Sequence, residues 1–226
     1  MSPERFARIN ALLDRRQADL TLCLESVHKN HNLSALIRTA DAVGVHEMHA
    51  VWFDRRGKVK GGTAKGSQQW VKMHHHTSTA AAVSQLKAEG KQVLVTHLSD
   101  SAVDFREVDY RLPTAILLGQ EKQGVSAEAL ALADQHIVVP MVGMAESLNV
   151  SVAAAVILYE AQRQRAAAGR SATAQLPAEE RHRVLFEGGH PIFAKICRLK
   201  NLPYPALDAN GQIDADETWW HAVRSK

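Results

Sequence analysis

The sequence predicts an α/β protein built on a mostly parallel sheet with helices on both faces. Short apolar runs alternate with amphipathic helical stretches from Leu20 to Ala168, which is the pattern of strands joined by helical crossovers. The 226 residues, 46% of them hydrophobic, can bury one sizeable core, or one core with a small appendage. After Gly169 the alternation stops, so an extension follows the core.

Taken in order, Ser2 as N-cap and Pro3 at the first helical position open a short basic helix, residues 1–18, with Arg5, Arg8, Arg15 and Arg16 around an apolar face of Phe6, Ile9 and Leu13. LTLCLE (20–25) reads as a strand, NLSALIRTADAV (32–43) as a helix stopped by Gly44, and EMHAVWF (47–53) as a second strand. Beyond a Gly/Lys-rich loop come a strand at WVKMHHH (70–76), a helix ending at Gly90 and the strand QVLVTHL (92–98). A strand at PTAILLGQE (113–121), a helix at SAEALALADQ (126–135), a strand at HIVVPMV (136–142) and a long helix from Leu148 to Ala168 complete a core spanning 19–168. The extension, 169–226, reads as one short helix and a Pro/Gly/Asp-rich end.

Charge and motifs narrow the function. Lys and Arg exceed Asp and Glu by 27 to 24, a net +3, so clustering matters more than the total. Two isolated cysteines, Cys23 and Cys197, with no apolar leader or membrane-length run, predict a reduced, cytoplasmic protein with no membrane partner. No G-x-G-x-x-G follows a strand, and in GGTAKGS (61–67) Lys65 precedes Gly66 where a P-loop needs it after, so dinucleotide and nucleoside triphosphate sites are disfavoured. His74, His75 and His76 alternate along a strand with no carboxylate or cysteine at ligand spacing, so they read as solvated and no metal is expected.

Ligands of parallel sheets sit at the carboxyl ends of strands. Three polar, glycine-containing segments fall there: Leu118-Gly119-Gln120-Glu121, Pro140 to Gly143, and Ser147 to Asn149 at the mouth of the last core helix. Each alone could be turn or cap chemistry, with Ser147 as an N-cap; their coincidence favours a site.

Asn32, Arg38 and Thr39 in NLSALIRTADAVGV, then LLGQEKQGVS (117–126), then IVVPMVGMAESLNVSVAAAVILYE (137–160), resemble the three ordered motifs of the SpoU-type, trefoil-knot RNA ribose methyltransferases. The context HKNHNLSALIRTADAVGVHE, the strand end VTHLSDSAVDFRE and the tail segments LFEGGHP and LPYP resemble the branch that methylates guanosine 18 of tRNA. The resemblance implies a deep C-terminal trefoil knot, S-adenosylmethionine as methyl donor, tRNA as partner, no role on DNA, and a homodimer that completes the site with an arginine from its partner. It implies that Thr96, Leu118, Gly119, Val139, Met141 and Leu148 hold the donor. Arg38, Asn32, Glu121, Ser147 and Asn149 would carry the chemistry. Arg8, Arg16, Arg55, Arg56, Lys58 and Lys60 would bind RNA, with Arg181, Arg183, Lys195, Arg198 and Lys200 as a further basic patch. Methylation of ribosomal RNA, and a knotted RNA-binding protein without chemistry, are the alternatives; the intact polar set favours the enzyme.

Overall fold

A computed structural model describes residues 1–52, 66–169 and 176–225. The chain forms two compact units, Gln17–Ala174 and a smaller one made of Met1–Arg16 with Gln175–Lys226.

The larger unit runs β1 (Leu20–Glu25), α2 (Asn30–Ala42), β2 (Glu47–Val51), β3 (Lys72–His76), α3 (Thr79–Ala88), β4 (Gln92–Thr96), β5 (Val103–Asp104), β6 (Thr114–Leu118), α4 (Ala127–Leu132), β7 (Gln135–Val138) and α5 (Val150–Ala167), α1 being Pro3–Leu13 of the smaller unit. Its seven strands form one sheet in the order β3-β2-β1-β6-β4-β7-β5, and every pairing is parallel. All six residues of β1 are buried. Alternation of side chains divides its neighbours between two cores. Leu20, Leu22 and Leu24 join Leu33, Leu36, Ile37, Ile157 and Leu158 under α2 and α5. Cys23, Val93, Val95 and Leu117 meet Ala82, Val83, Leu86 and Ala129 under α3 and α4. The expected helices on both faces are therefore present.

Several boundaries differ from those expected, each for a local reason. Ser67–Gln69 form a 3-10 turn, so β3 starts at Lys72 and not at Trp70. Pro140 has no N–H to give a ladder, and β7 stops at Val138, leaving 139–149 irregular. The helix expected over 126–135 ends at Leu132, because Asp134 turns back and accepts the Val93 amide at 2.7 Å. The two-residue strand β5 is too short for any periodicity to reveal.

In the smaller unit Ser2 caps α1 by accepting from the Arg5 amide, with Pro3 in the first turn, as expected. The tail holds more than one helix: α6 (Ala178–Gly189), α7 (Pro191–Lys200) and α8 (Glu217–Arg224), plus the antiparallel pair β8 (Ala206–Leu207) and β9 (Ile213–Asp214). Helix α1 packs in the same unit: Arg5 Nε donates to the Gly188 carbonyl at 2.8 Å and Arg181 pairs with Asp14 at 2.8 Å. Gly211, at φ +75, leaves the space in which the Phe6 ring lies, since a Cβ there would come within 2.3 Å of it. Trp219 packs near Phe193 and donates Nε1–H to the Pro203 carbonyl at 3.1 Å, which makes it part of this small core. Among the described residues no helix is long and apolar enough to cross a membrane.

Candidate active site at the carboxyl ends of three strands

Three neighbouring parallel strands, β6, β4 and β7, end at one cavity of about 380 Å³, within the range of about 300–1,000 Å³ usual for small-molecule and cofactor pockets. Thr96 and Leu118 bring the ends of β4 and β6 to it; Gly119 and Glu121 follow from the loop after β6, and Val139 from the loop after β7. Ser147, Leu148 and Asn149 complete the wall at the entrance to α5. Five of the six residues expected to hold a donor therefore stand together with Glu121, Ser147 and Asn149. Met141 does not: it lies further along the irregular 139–149 loop and outside the cavity wall.

Gly119 is required here by contact. A Cβ on it would fall 2.1 Å from the Gly124 carbonyl oxygen and 2.4 Å from the Val125 nitrogen, backbone atoms that cannot move aside as a side-chain tip can. The loop folds back so tightly because Gly124 adopts φ +68 and donates its N–H to the Gln120 carbonyl at 2.9 Å. Behind it, Ser126 caps α4 and also gives its N–H and hydroxyl, each at 2.7 Å, to the buried Glu25 carboxylate at the end of β1. Thr79, at the start of α3, donates to the same carboxylate, so Glu25 ties both the loop and α3 to the sheet, by two hydrogen bonds and one.

The polar rim is a network. Asn32, only 2% exposed at the start of α2, donates to Glu121 and accepts from Asn149 Nδ2 at 3.2 Å. Asn149 is the N-cap of α5, accepting from the Ser151 amide at 2.9 Å and hydroxyl at 2.7 Å. One amide side chain thus closes the helix and fixes the rim. Ser147 is not the cap; it is exposed along the cavity wall.

Arg38 is exposed and is not a residue of the cavity wall. It lies six residues beyond Asn32 on α2, about 9 Å along the axis and about 120° round it. Glu47, one carboxylate that could have neutralised it, is engaged by His74 at 2.8 Å. Sequence reasoning missed Lys29 and Glu146, which also line the cavity. Lys29 falls between β1 and α2, beyond the carboxyl end of a strand, and that position was the available signal.

The basic residues fare unevenly. Arg55, Arg56, Lys58 and Lys60 lie outside the described residues. Arg8 is exposed on α1, but Arg16 is 2% exposed, and a guanidinium withdrawn from solvent cannot contact a phosphate backbone. In the tail, Arg183 pairs with Glu180 and Glu187, Arg198 with Glu187, and Lys200 donates to the Ala222 and Val223 carbonyls at the end of α8.

Comparison with known proteins gives the chain's family. Residues 19–159 match the SpoU rRNA Methylase family and residues 163–216 its C-terminal family, SpoU, rRNA methylase, C-terminal. The chain is 56% identical over 227 residues, 100% of its own length and 99% of the relative's, to the tRNA (guanosine(18)-2'-O)-methyltransferase of Escherichia coli K12. The crystal structure of the A. aeolicus TrmH/SpoU tRNA modifying enzyme is similar with a TM-score of 0.77 at 40% identity, covering 84% of this chain and 96% of that one. An AdoMet-bound rRNA methyltransferase from Sinorhizobium meliloti is similar with a TM-score of 0.56 at 30% identity, covering 67% and 59%. With family matches in order along most of its length and a full-length relative above half identity, the chain belongs to the SpoU rRNA methylase family.

Proposed function

We propose that the chain is a methyltransferase that moves a methyl group from S-adenosylmethionine to the ribose 2′-hydroxyl of guanosine 18 in tRNA, acting as a homodimer with a knotted C-terminal core. The observation that carries this reading is the single cavity shared by Thr96, Leu118, Gly119, Val139 and Leu148 with Glu121, Ser147 and Asn149. The full-length relative of stated tRNA specificity supports the substrate.

The residues present suit the donor. The ends of β4, β6 and β7 flank the cavity, and at Gly119 the loop folds back so closely on Gly124 and Val125 that no side chain fits, which leaves main-chain groups among those that line it. When bound, S-adenosylmethionine supplies a methyl group on a positively charged sulfur. Thr96, Leu118, Gly119, Val139 and Leu148 would hold it, while Asn32, Glu121 and Asn149 keep the loops around it in register.

Arg38 acts best as a positioned charge. Removing a proton from a group of pKa about 12.5 near pH 7 costs on the order of 7 kcal/mol, at about 1.36 kcal/mol per unit. A guanidinium that binds an RNA phosphate and donates to the ribose oxygen stabilises the developing alkoxide without that cost. Because Arg38 is exposed and outside its own chain's cavity wall, RNA or a second copy must bring it to the reacting ribose. A stripe of exposed apolar residues on α5, Val152, Val156 and Tyr159, supports a second copy as the partner of that face.

Incubation with labelled S-adenosylmethionine and unmodified tRNA or rRNA, with mapping of the product, tests the proposal. Label at the 2′-O of guanosine 18 is expected. Label confined to rRNA overturns the substrate, and no transfer to either RNA overturns the activity.

A further inference from the structure

Outside the cavity wall, the edge strand β3 and its neighbour β2 bring together four side chains that their spacing in sequence does not connect. His49 and His74 are register partners in a parallel pair, so they project on one face, with Glu47 two residues before His49 and His76 two after His74 on that same face. His75 points the other way, its ring 4.9 Å from that of Trp52. His74 Nε2 lies 2.8 Å from Glu47 Oε2, and His49 Nδ1 lies 2.9 Å from His76 Nε2. The His49 ring stacks on both, at 4.9 Å and 5.1 Å. One ligand-capable atom each from Glu47, His49 and His74 lies within 4.8 Å of the others.

His49 makes this more than a polar cluster. It is 0% exposed, and its Nε2 has no hydrogen-bond partner. An unsatisfied buried nitrogen costs about 1–3 kcal/mol, and such a group is commonly explained by an ion or a water. If His49 Nδ1–H donates to His76 Nε2, the remaining lone pair is on the Nε2 that lacks a partner, which is how a metal-bound imidazole is oriented by a neighbour on its other nitrogen.

We infer that Glu47, His49 and His74 form a binding site for a divalent transition metal such as zinc, with His76 orienting His49. Two imidazoles and a carboxylate make a His2Glu donor set, which zinc accepts, and its bonds of about 2.0–2.2 Å set donor separations near 3.3 Å. The gap from 4.8 Å closes by turning Glu47 and His74, whose side chains are 20% and 25% exposed and have room to move. Lys91, a cation whose charge reaches Glu47, is already held by Glu89. Such an ion clips the edge strand β3 to β2 across the long connection between them, and its effect is on folding and not on methyl transfer.

The test uses the full chain stripped with chelator. Calorimetric titration with Zn²⁺, and with Co²⁺ followed by visible absorption, is expected to give one equivalent per chain and a raised melting temperature. His74→Ala and Glu47→Gln should each weaken binding at least tenfold, while His75→Ala, on the opposite face, leaves it within about twofold. If His74→Ala does not fold, Glu47→Gln alone decides. No binding up to about 100 μM metal, or binding that survives both substitutions, overturns the site.

Discussion

Asn149 Nδ2 donates to Asn32 Oδ1 at 3.2 Å, joining residues 117 positions apart at the rim of the cavity. Since Asn32 also donates to Glu121, three chain segments meet in two side-chain bonds. Asn149→Ala should cost about 1 kcal/mol through the lost α5 cap alone. Asn32→Ala removes no cap but strands both partners. Urea titration is therefore expected to rank Asn149→Ala as the more destabilising if the cap dominates, while both lower methylation at least tenfold. Wild-type turnover in Asn32→Ala would show the network to be structural only.

Arg38→Ala should leave stability and donor affinity nearly unchanged, because an exposed helix position accepts alanine readily. Single-turnover methylation with saturating tRNA and donor should fall about a hundredfold to a thousandfold. Arg38→Lys should recover little, since lysine lacks the planar fork that spans phosphate and hydroxyl. A wild-type rate for Arg38→Ala would return this residue to an ordinary surface role.

Gly119→Ala drives a methyl group into the Gly124 backbone. The loop must open, which is expected to destabilise the larger unit by about 1–3 kcal/mol and to abolish donor binding in calorimetry. Retention of both would mean the loop has a second conformation with room for the side chain.

How much of this was legible in the sequence differs by element. The strands and helices of the core were, since apolar runs and glycine stops repeat at element length, and the Ser-x-Asn mouth of α5 pointed to the cavity through its position after a strand. Arg165 was not. It reads as a polar residue near a helix end, yet it is 2% exposed, pairs with Asp19 at 2.5 Å and donates to the Tyr110 and Leu112 carbonyls at 2.8 and 3.0 Å. Glu25 was read as a strand end and proves to be a buried carboxylate with three donors. The Glu47 and His49 side chains beside His74 also escaped notice, because a ligand set assembled across strands has no linear spacing. In each case the partners come from tertiary pairing, which periodicity does not encode.

The Arg165 pair makes its own prediction. Arg165→Met leaves Asp19 without its cation and the Tyr110 and Leu112 carbonyls without that donor, so unfolding free energy should drop by about 3–5 kcal/mol. Chemical denaturation followed by circular dichroism measures it; a loss under 1 kcal/mol would mean that water replaces the guanidinium.

Cys23 gives a pH-dependent test. Burial, with a smaller contribution from the Glu25 charge, pushes its thiol up to about 12. The folded protein keeps the proton while an unfolded thiol loses it above about 8.5, so this group's contribution makes stability fall as pH rises through that interval. At pH 8 Cys23 should resist a thiol reagent until denaturant is added. Rapid native labelling of Cys23, located by mass spectrometry, would contradict its burial.

The pairing of Asp14 with Arg181 spans 167 positions and has a consequence in time. The ribosome releases α1 first and its packing partner α6 only after the whole sheet unit between them has been made. At about 5–20 residues per second, that interval is roughly 8 to 33 s. During it the apolar stripe of Phe6, Ile9 and Leu13 has no mate from its own unit. Nascent chains halted before Ala178 should therefore be cut by protease within α1 while the finished sheet resists, which makes the first helix translated wait for the sheet to be finished before it finds its place.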